Sequence, residues 1–204
     1  REVHGGSGNL SQRLVVGLSG ASGAIYGIRL LEILRDHPEI ETHLVLTKPG
    51  ERTIAEETSY RLADVKAMAT VVHPLIDIGA SIASGSFRTL GMVVIPCSIH
   101  TASSIAYCHS DNLLTRAADV TLKEGRKLVL VVRETPLHRG HLKMLLEATE
   151  AGAVILPPVP AFYSLPKSLE DIIDHTVGRV LDHFGIVHQL LKRWGEPPSA
   201  PAAE

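Results

Sequence analysis

Residues 14–23, Leu-Val-Val-Gly-Leu-Ser-Gly-Ala-Ser-Gly, decide the fold, because they join a short apolar run to a glycine-rich turn. A continuous apolar run is typical of a strand that is buried on both faces of a sheet. The turn leads into a predicted helix over about Ala24–Arg35, in which Ala24, Ile28 and Leu31 share one face. A strand, a tight turn and a helix in this order predict the start of a βαβ unit.

The same alternation continues along the chain. Further strands are predicted at 44–46, 70–72 (the weakest), 92–95, 128–132 and 154–156. Helices are predicted at about 101–106, 112–124, 141–151 and 168–181, and another begins with Pro49 at its first position. This pattern predicts an α/β fold with a doubly wound, mostly parallel sheet, Rossmann-like or flavodoxin-like, in three layers.

Length and composition indicate one domain. Of the 204 residues, 13–196 form the predicted α/β domain, 1–12 a flexible N-terminal extension and 197–204 a flexible Pro/Ala-rich tail. The net charge of −2 and the lack of a basic run interleaved with aromatics argue against a nucleic-acid partner. No apolar stretch approaches the roughly 20 residues that cross a bilayer, and no signal core is visible. With only two cysteines, we expect a cytoplasmic protein with reduced thiols.

The glycine-rich turn suits a phosphate, because glycines allow close backbone approach and the following helix start offers amide donors. It lacks the dinucleotide spacing G-x-G-x-x-G, and the second strand ends in Thr47-Lys48 where a ribose-binding acid would stand. Ala21 also excludes the hydrolase elbow G-x-S-x-G. A mononucleotide site is favoured over a plain tight turn.

Other strand ends carry polar groups with two readings each. Ser98 and Thr101 open a helix, where they cap it or contact a flavin or phosphate. Arg133 and Glu134 follow the most apolar strand and either pair with each other or serve a site.

For several other cations and hydroxyls, a purely structural role is as well supported by the sequence as a role in binding. The segment 81–86 is an ordinary small-residue loop or an anion-binding one. Arg116 and Lys123 share one side of a helix, where Asp119 balances Arg116 if that edge is merely solvated. In the purely structural interpretation, Tyr163 packs within its loop and Arg179 is a charged surface residue. The eleven histidines show no metal-binding spacing, so we predict no metal site.

Seven segments occur in order along the chain: Gly-Leu-Ser-Gly-Ala-Ser-Gly-Ala-Ile-Tyr-Gly (17–27), Ser-Gly-Ser-Phe (84–87), Pro-Cys-Ser (96–98), Leu-Leu-Thr-Arg-Ala-Ala-Asp-Val (113–120), Leu-Lys-Glu (122–124), Arg-Glu-Thr-Pro-Leu (133–137) and Pro-Ala-Phe-Tyr (160–163). Taken together, they resemble the flavin prenyltransferase (UbiX) family over roughly residues 13 to 196. The chain departs from the family at His100, at Gly125 and in the polar extension before Arg13.

The resemblance implies a metal-independent transferase that joins the dimethylallyl group of dimethylallyl phosphate to N5 and C6 of reduced FMN and releases phosphate. Its product, prenylated FMN, serves UbiD-type decarboxylases such as those of ubiquinone biosynthesis. The family forms homo-oligomers, typically dodecamers, with sites between subunits. Whether the phosphate or the diphosphate of the prenyl group is preferred stays open.

The same resemblance assigns roles by motif. The implied FMN contacts are Gly20, Ala21, Ser22, Thr47, Ser98, Ile99, His100, Thr101 and Arg133. The implied prenyl-phosphate contacts are Ser84, Gly85, Ser86, Arg116, Lys123, Tyr163 and Arg179. Proton transfer falls to Glu134 near the phosphate and to Ser22 and Glu57 near N5, with Glu57 reaching the flavin from a neighbouring subunit. We expect reduced flavin to provide an electron-rich wall for the allylic cation, with help from an aromatic side chain such as Trp194.

Two rival classes remain. An FMN-dependent peptidyl- or pantothenoyl-cysteine decarboxylase would carry a Pro-x-Met-Asn stretch, and the chain has none. A non-catalytic FMN carrier, or an FMN-binding subunit of an aromatic-acid decarboxylase, would not need the cations Arg116, Lys123 and Arg179. A generic nucleotide-binding domain explains fewer of these residues.

Overall fold

The computed structural model describes residues 12–191 and 193–195. Its strands are β1 (Gln12–Leu18), β2 (Ile40–Leu46), β3 (Val71–His73), β4 (Gly91–Cys97), β5 (Lys127–Val132) and β6 (Ala153–Ile155). Its helices are α1 (Ala24–Arg35), α2 (Lys48–Glu57), α3 (Leu62–Ala67), α4 (Ile99–Ala106), α5 (Leu113–Lys123), α6 (Arg139–Glu150) and α7 (Leu169–His183), with a 3₁₀ turn at Ser81–Ala83.

The six strands form one sheet in the order β3-β2-β1-β4-β5-β6, and every pair is parallel. The order reverses between β1 and β4, which are paired from Leu14 opposite Gly91 to Gly17 opposite Val94. In open α/β sheets this reversal leaves a crevice at the carboxyl ends of the two strands. The predicted doubly wound fold is confirmed, and the sheet is parallel throughout.

Alternation along the strands creates two cores, one on each face of the sheet. On one face, strand residues such as Val129 and Val131 pack with side chains of α1 and α7. On the other face, Leu128 and Leu130 pack with side chains of α4, α5 and α6. Because all five strand residues from Leu128 to Val132 are buried, the run shows no polar alternation in sequence.

Several boundaries differ from the sequence expectations. Gln12 is the first residue of β1 and pairs with Ile40, so the extension loses its last residue to the domain. α2 begins at Lys48 after the cap Thr47, which places Pro49 at the second position of the helix instead of the first. α3 and the 3₁₀ turn were not predicted. The expected flexibility of the extension and the tail concerns residues outside the described ones. None of the described helices is long and apolar enough to cross a membrane.

Candidate functional site

Ser19 joins the two strands at the crevice. Its side chain is buried, and its hydroxyl donates to the Pro96 carbonyl at 3.1 Å while accepting from the Ser98 amide at 2.8 Å. The Ser19 amide donates to the same Pro96 carbonyl at 3.1 Å. The glycine-rich loop and the start of α4 are therefore tied together directly beneath the crevice. Sequence reasoning passed over Ser19 because the serine reads only as part of the turn.

The crevice opens into a cavity of about 350 Å³. Five of the predicted FMN residues line it, namely Gly20, Thr47, Ser98, His100 and Thr101. Asp111, Asn112 and Thr115, which sequence reasoning did not single out, line it as well. Ala21, Ser22, Ile99 and Arg133 are not among its lining residues. A cavity of this size with hydroxyls on one side suits part of a mononucleotide.

Two helix N-termini begin at this cavity. The Thr47 hydroxyl accepts from the Gly50 amide at 3.1 Å and caps α2, and the Ser98 hydroxyl accepts from the Thr101 amide at 3.2 Å and caps α4. The first amides of a helix and its dipole favour an anion. These two helix N-termini therefore fit the phosphate of FMN. The predicted capping role of Ser98 is also confirmed.

Gly20 has no room for a side chain, because an added Cβ would collide with the Cβ of Pro49 in α2. Gly23, the cap of α1, has φ of 104°, a left-handed conformation that side chains rarely adopt. Both glycines are required by the path of the loop, which runs close against α2 before α1 begins.

Glu57 lies at this loop in its own chain. Its Oε2 accepts from the Gly23 amide at 2.8 Å and from the Ala24 amide at 3.3 Å, at the N-terminus of α1. Burial opposes ionisation, but hydrogen bonds from the Gly23 amide, the Ser22 hydroxyl and the Ala24 amide, with the charge of Arg133, lower the pKa of Glu57 below its ordinary value. Glu57 is thus fixed by its own chain, and its approach to the flavin of a neighbouring subunit stays a prediction.

Arg133 and Glu134 do not pair with each other among the described residues. Glu134 is exposed, and its Oε1 accepts from the amide of Thr135 at 3.0 Å. Arg133 is also exposed and acts on Glu57 through its charge. The alternative prediction, that Arg133 and Glu134 form an ion pair with each other at the end of β5, is therefore wrong.

The loop from Ser84 to Ser86 forms a second group. The two serine hydroxyls lie 3.0 Å apart, and Gly85 faces the ion pair between Lys123 and Glu124 so closely that an added Cβ would collide with Glu124. A hydroxyl pair beside an ammonium group can bind a phosphate.

Arg126 anchors this loop. Its guanidinium donates to the carbonyl of Gly85 at 2.6 Å and to that of Phe87 at 2.8 Å. Sequence reasoning missed Arg126, which lies outside the Leu-Lys-Glu motif and gives no local signal of its role.

A third group surrounds Tyr163. Its ring meets that of Trp194 edge-on, with centroids 5.6 Å apart. Arg179 is exposed and its guanidinium lies 3.0 Å from the Asp182 carboxylate. Arg116 stands apart in a local pair with Asp119 at 2.8 Å, as the solvated-edge reading predicts.

Three groups of polar residues have now been described: one around Glu57, one around the Ser84–Ser86 loop and one around Tyr163. Within the part of the chain that the structure describes, no hydrogen bond or ion pair joins any of them to another. Burial raises the pKa of the Cys97 thiol far above its usual range, so this cysteine is no nucleophile. Over residues 12–191 and 193–195, no cluster of His, Cys, Asp and Glu could hold a metal ion. The polar groups of the site are therefore hydroxyls, amides, cations and single carboxylates.

The chain is similar to known proteins in sequence and in fold. The family model described as Flavoprotein matches residues 6–193. The flavin prenyltransferase UbiX of Escherichia coli K12 is 60% identical over 185 residues, which cover 90% of this chain and 98% of that protein. The UbiX of Thauera aromatica is 59% identical over 182 residues, or 89% of this chain and 93% of that protein.

Solved structures of other proteins resemble this fold. A crystal structure of AnUbiX in complex with FMN and dimethylallyl pyrophosphate has a TM-score of 0.88 at 50% identity, covering 91% of this chain and 98% of that one. A peptidyl-cysteine decarboxylase matches with a TM-score of 0.60 but only 14% identity, covering 85% and 98%, so the rival class shares the fold alone. The family predicted from the motif series is confirmed: the chain belongs to the flavin prenyltransferase UbiX family of flavoproteins.

Proposed function

We propose that this chain is a flavin prenyltransferase that joins the dimethylallyl group of dimethylallyl phosphate to N5 and C6 of reduced FMN and releases phosphate. The observation that carries the proposal is the 60% identity to a flavin prenyltransferase over 98% of that protein's length. The product, prenylated FMN, would pass to a UbiD-type decarboxylase. Reduced flavin supplies the electron-rich nucleophile for the allylic carbon.

The FMN site is proposed to lie in the 350 Å³ cavity and along the adjoining loop. The proposed contacts are Gly20, Ala21, Ser22, Thr47, Ser98, Ile99, His100, Thr101 and Arg133. The N-termini of α2 and α4 would hold the phosphate of FMN with backbone amides, because both helices begin at this cavity. Ser22, next to the Glu57 carboxylate, would face the isoalloxazine edge.

The prenyl phosphate is proposed to meet Ser84, Gly85, Ser86, Arg116, Lys123, Tyr163 and Arg179. When the carbon–oxygen bond breaks, its electron pair stays with the phosphate, so negative charge grows on the leaving group. Cations and hydroxyl donors that already face that position stabilise the charge without a metal. Lys123 beside the Ser84–Ser86 loop, and Arg179 one helical turn from His175, the partner of Tyr163, are groups of this kind.

Two protons leave the flavin, one from N5 and one from C6, as its new bonds form. One of them is taken up by the alkene carbon of the dimethylallyl group, whose double bond breaks as the bond to C6 forms, and the other leaves with the released phosphate. Two carboxylates are proposed to carry these protons. Glu57 is proposed to accept one of these protons through the Ser22 hydroxyl, with which its carboxylate is hydrogen-bonded. Glu134 is exposed, and within residues 12–191 and 193–195 its carboxylate accepts a hydrogen bond only at Oε1, from Thr135, so its other oxygen is proposed to face a substrate.

The complete site is proposed to form between copies of this chain. The groups around Glu57, Lys123 and Tyr163 share no hydrogen bond or ion pair among the described residues, although one reaction needs them all. A dodecameric UbiX-like structure from Escherichia coli O157:H7 is 50% identical with a TM-score of 0.88, which supports a dodecamer here. We place the reaction in the cytoplasm, since Cys97 and Cys108 are both free thiols.

The test is a mass measurement on the flavin. Purified protein is mixed with reduced FMN and dimethylallyl phosphate without oxygen, and the flavin released on denaturation is weighed. The expected product carries one added C5 unit, and dimethylallyl diphosphate in a parallel reaction shows which leaving group is preferred. A flavin of unchanged mass with both donors would refute the proposal.

A further inference from the structure

A histidine outside every sequence motif holds the Tyr163 hydroxyl. The Oη of Tyr163 lies 3.1 Å from Nε2 of His175, and the two rings meet edge-on at 79° with centroids 5.7 Å apart. His175 is half-buried in α7, whereas Tyr163 is 44% exposed on the loop before it. The hydrogen bond therefore ties an exposed loop residue to a fixed helix.

The segment after α7 closes on the same tyrosine from another side. Asp182 accepts from His188 at 3.0 Å and from Arg193 at 2.7 Å, which holds residues 186–191 and 193–195 against the helix. Gly178 permits this, because an added Cβ would lie 2.7 Å from a methyl carbon of Leu191. The fold-back brings Trp194 against the Tyr163 ring, so the ring is confined from two directions.

His175 and Arg179 are four residues apart in α7, so their side chains leave the helix on one face. Both line a cavity of about 220 Å³ at the end of β6. His175 therefore holds the Tyr163 hydroxyl one helical turn from the position of Arg179. These are the two groups of this cluster proposed to bind the prenyl phosphate.

What the hydroxyl can do depends on the tautomer of His175, and the inference uses the tautomer that carries its proton on Nε2. With its proton on Nε2, His175 donates to Oη of Tyr163, and the hydroxyl hydrogen of Tyr163 is free to donate to a phosphate oxygen. Without His175, the tyrosine would have to be oriented by the ligand itself, at a cost in binding. The contact of Tyr163 with Trp194 confines the ring but leaves the direction of the hydroxyl open.

We propose that His175 is a positioning residue that orients the Tyr163 hydroxyl toward the phosphate of the prenyl donor. The inference rests on the proposed function, in which Tyr163 contacts that phosphate. It assigns His175 no contact with the flavin and no step of proton transfer. His175 acts on donor binding through Tyr163 alone.

The test measures binding of dimethylallyl phosphate to the full-length, FMN-loaded protein by calorimetry, with product formation followed separately by flavin mass. His175→Leu is expected to weaken binding about tenfold and to raise KM by a similar factor, with kcat changed less. His175→Gln, whose amide can donate from nearly the same position, is expected to restore affinity to within about threefold of wild type.

Two further variants isolate the path through Tyr163. In a Tyr163→Phe background, adding His175→Leu is expected to cost no further affinity, because the hydroxyl it orients is gone. The matched control is His37→Leu, another half-buried histidine, which lies before β2 outside the proposed site and hydrogen-bonds to Glu39, and it is expected to bind dimethylallyl phosphate as wild type does.

Three results would overturn the inference: unchanged affinity in His175→Leu, no rescue by His175→Gln at an equal melting temperature, or an additive loss in the double variant. Failure of the proposed function looks different. Wild-type protein that binds dimethylallyl phosphate but adds no C5 unit to flavin would refute the reaction, while the binding series would still decide the role of His175. Wild-type protein that binds no dimethylallyl phosphate would overturn both.

Discussion

Replacing Ser19 by alanine removes the tie between the glycine-rich loop and α4. The Pro96 carbonyl keeps the amide of residue 19 as a donor, whereas the Ser98 amide loses its acceptor at 2.8 Å. One lost buried hydrogen bond and one unsatisfied amide together cost about 2 kcal/mol. For a chain of this length that corresponds to a fall of about 4 to 8 °C in melting temperature. FMN affinity is expected to fall as well, because Ser98 begins the helix that lines the cavity.

The assay is thermal unfolding without FMN at a fixed protein concentration, so that neither ligand nor assembly shifts the transition. Ser103→Ala is the matched control. Ser103 is a partly buried serine of α4 whose hydroxyl makes no hydrogen bond within the described residues, so its loss is expected to change little. If Ser19→Ala melted within about 1 °C of wild type, the reasoning about the unsatisfied amide would be wrong.

Three other substitutions address the site. Arg126→Met removes two hydrogen bonds to the loop carbonyls and should raise KM for dimethylallyl phosphate about tenfold without changing FMN affinity. Lys127→Met, at the exposed neighbouring residue, is the control in the same steady-state assay. If Arg126→Met and Lys127→Met had the same KM for dimethylallyl phosphate, the anchoring role of Arg126 would be excluded. Because folding lowers the pKa of Glu57, its stabilisation is present above the ordinary carboxylate pKa and is lost as pH falls below about 4. Melting curves should therefore show the advantage of wild type over Glu57→Gln at pH 7 shrinking toward pH 3, and a pH-independent difference would contradict this assignment. Glu134→Gln should bind FMN normally while forming product more slowly, and unchanged turnover would remove Glu134 from the mechanism.

The fold was predictable where burial is complete on both faces. The residues of β5 are apolar without alternation because each packs against helices on one side of the sheet or the other. Gln12 could not be assigned to β1, since it lies at the exposed end of the strand and carries a polar side chain. α3 was missed because it has six residues and only Val65 is buried, which leaves no amphipathic pattern to detect.

Part of the candidate site was predictable for a topological reason. Gly20, Thr47 and Ser98 follow three neighbouring parallel strands, whose carboxyl ends meet at one edge of the sheet. Contacts between distant segments left no such signal. Arg126 reaches a carbonyl 41 residues away, and His175 meets Tyr163 across 12 residues of irregular chain and helix. Such partners depend on how loops fold back, which periodicity does not record.

The close approach of Gly20 to Pro49 has a consequence for ligand capture. Since the loop is wedged against α2 and tied to α4 by folding alone, its shape is preorganised before any nucleotide arrives. The backbone of the loop then loses its conformational entropy during folding and not during binding. The affinity for the phosphate end of the flavin is therefore not reduced by this loss of entropy.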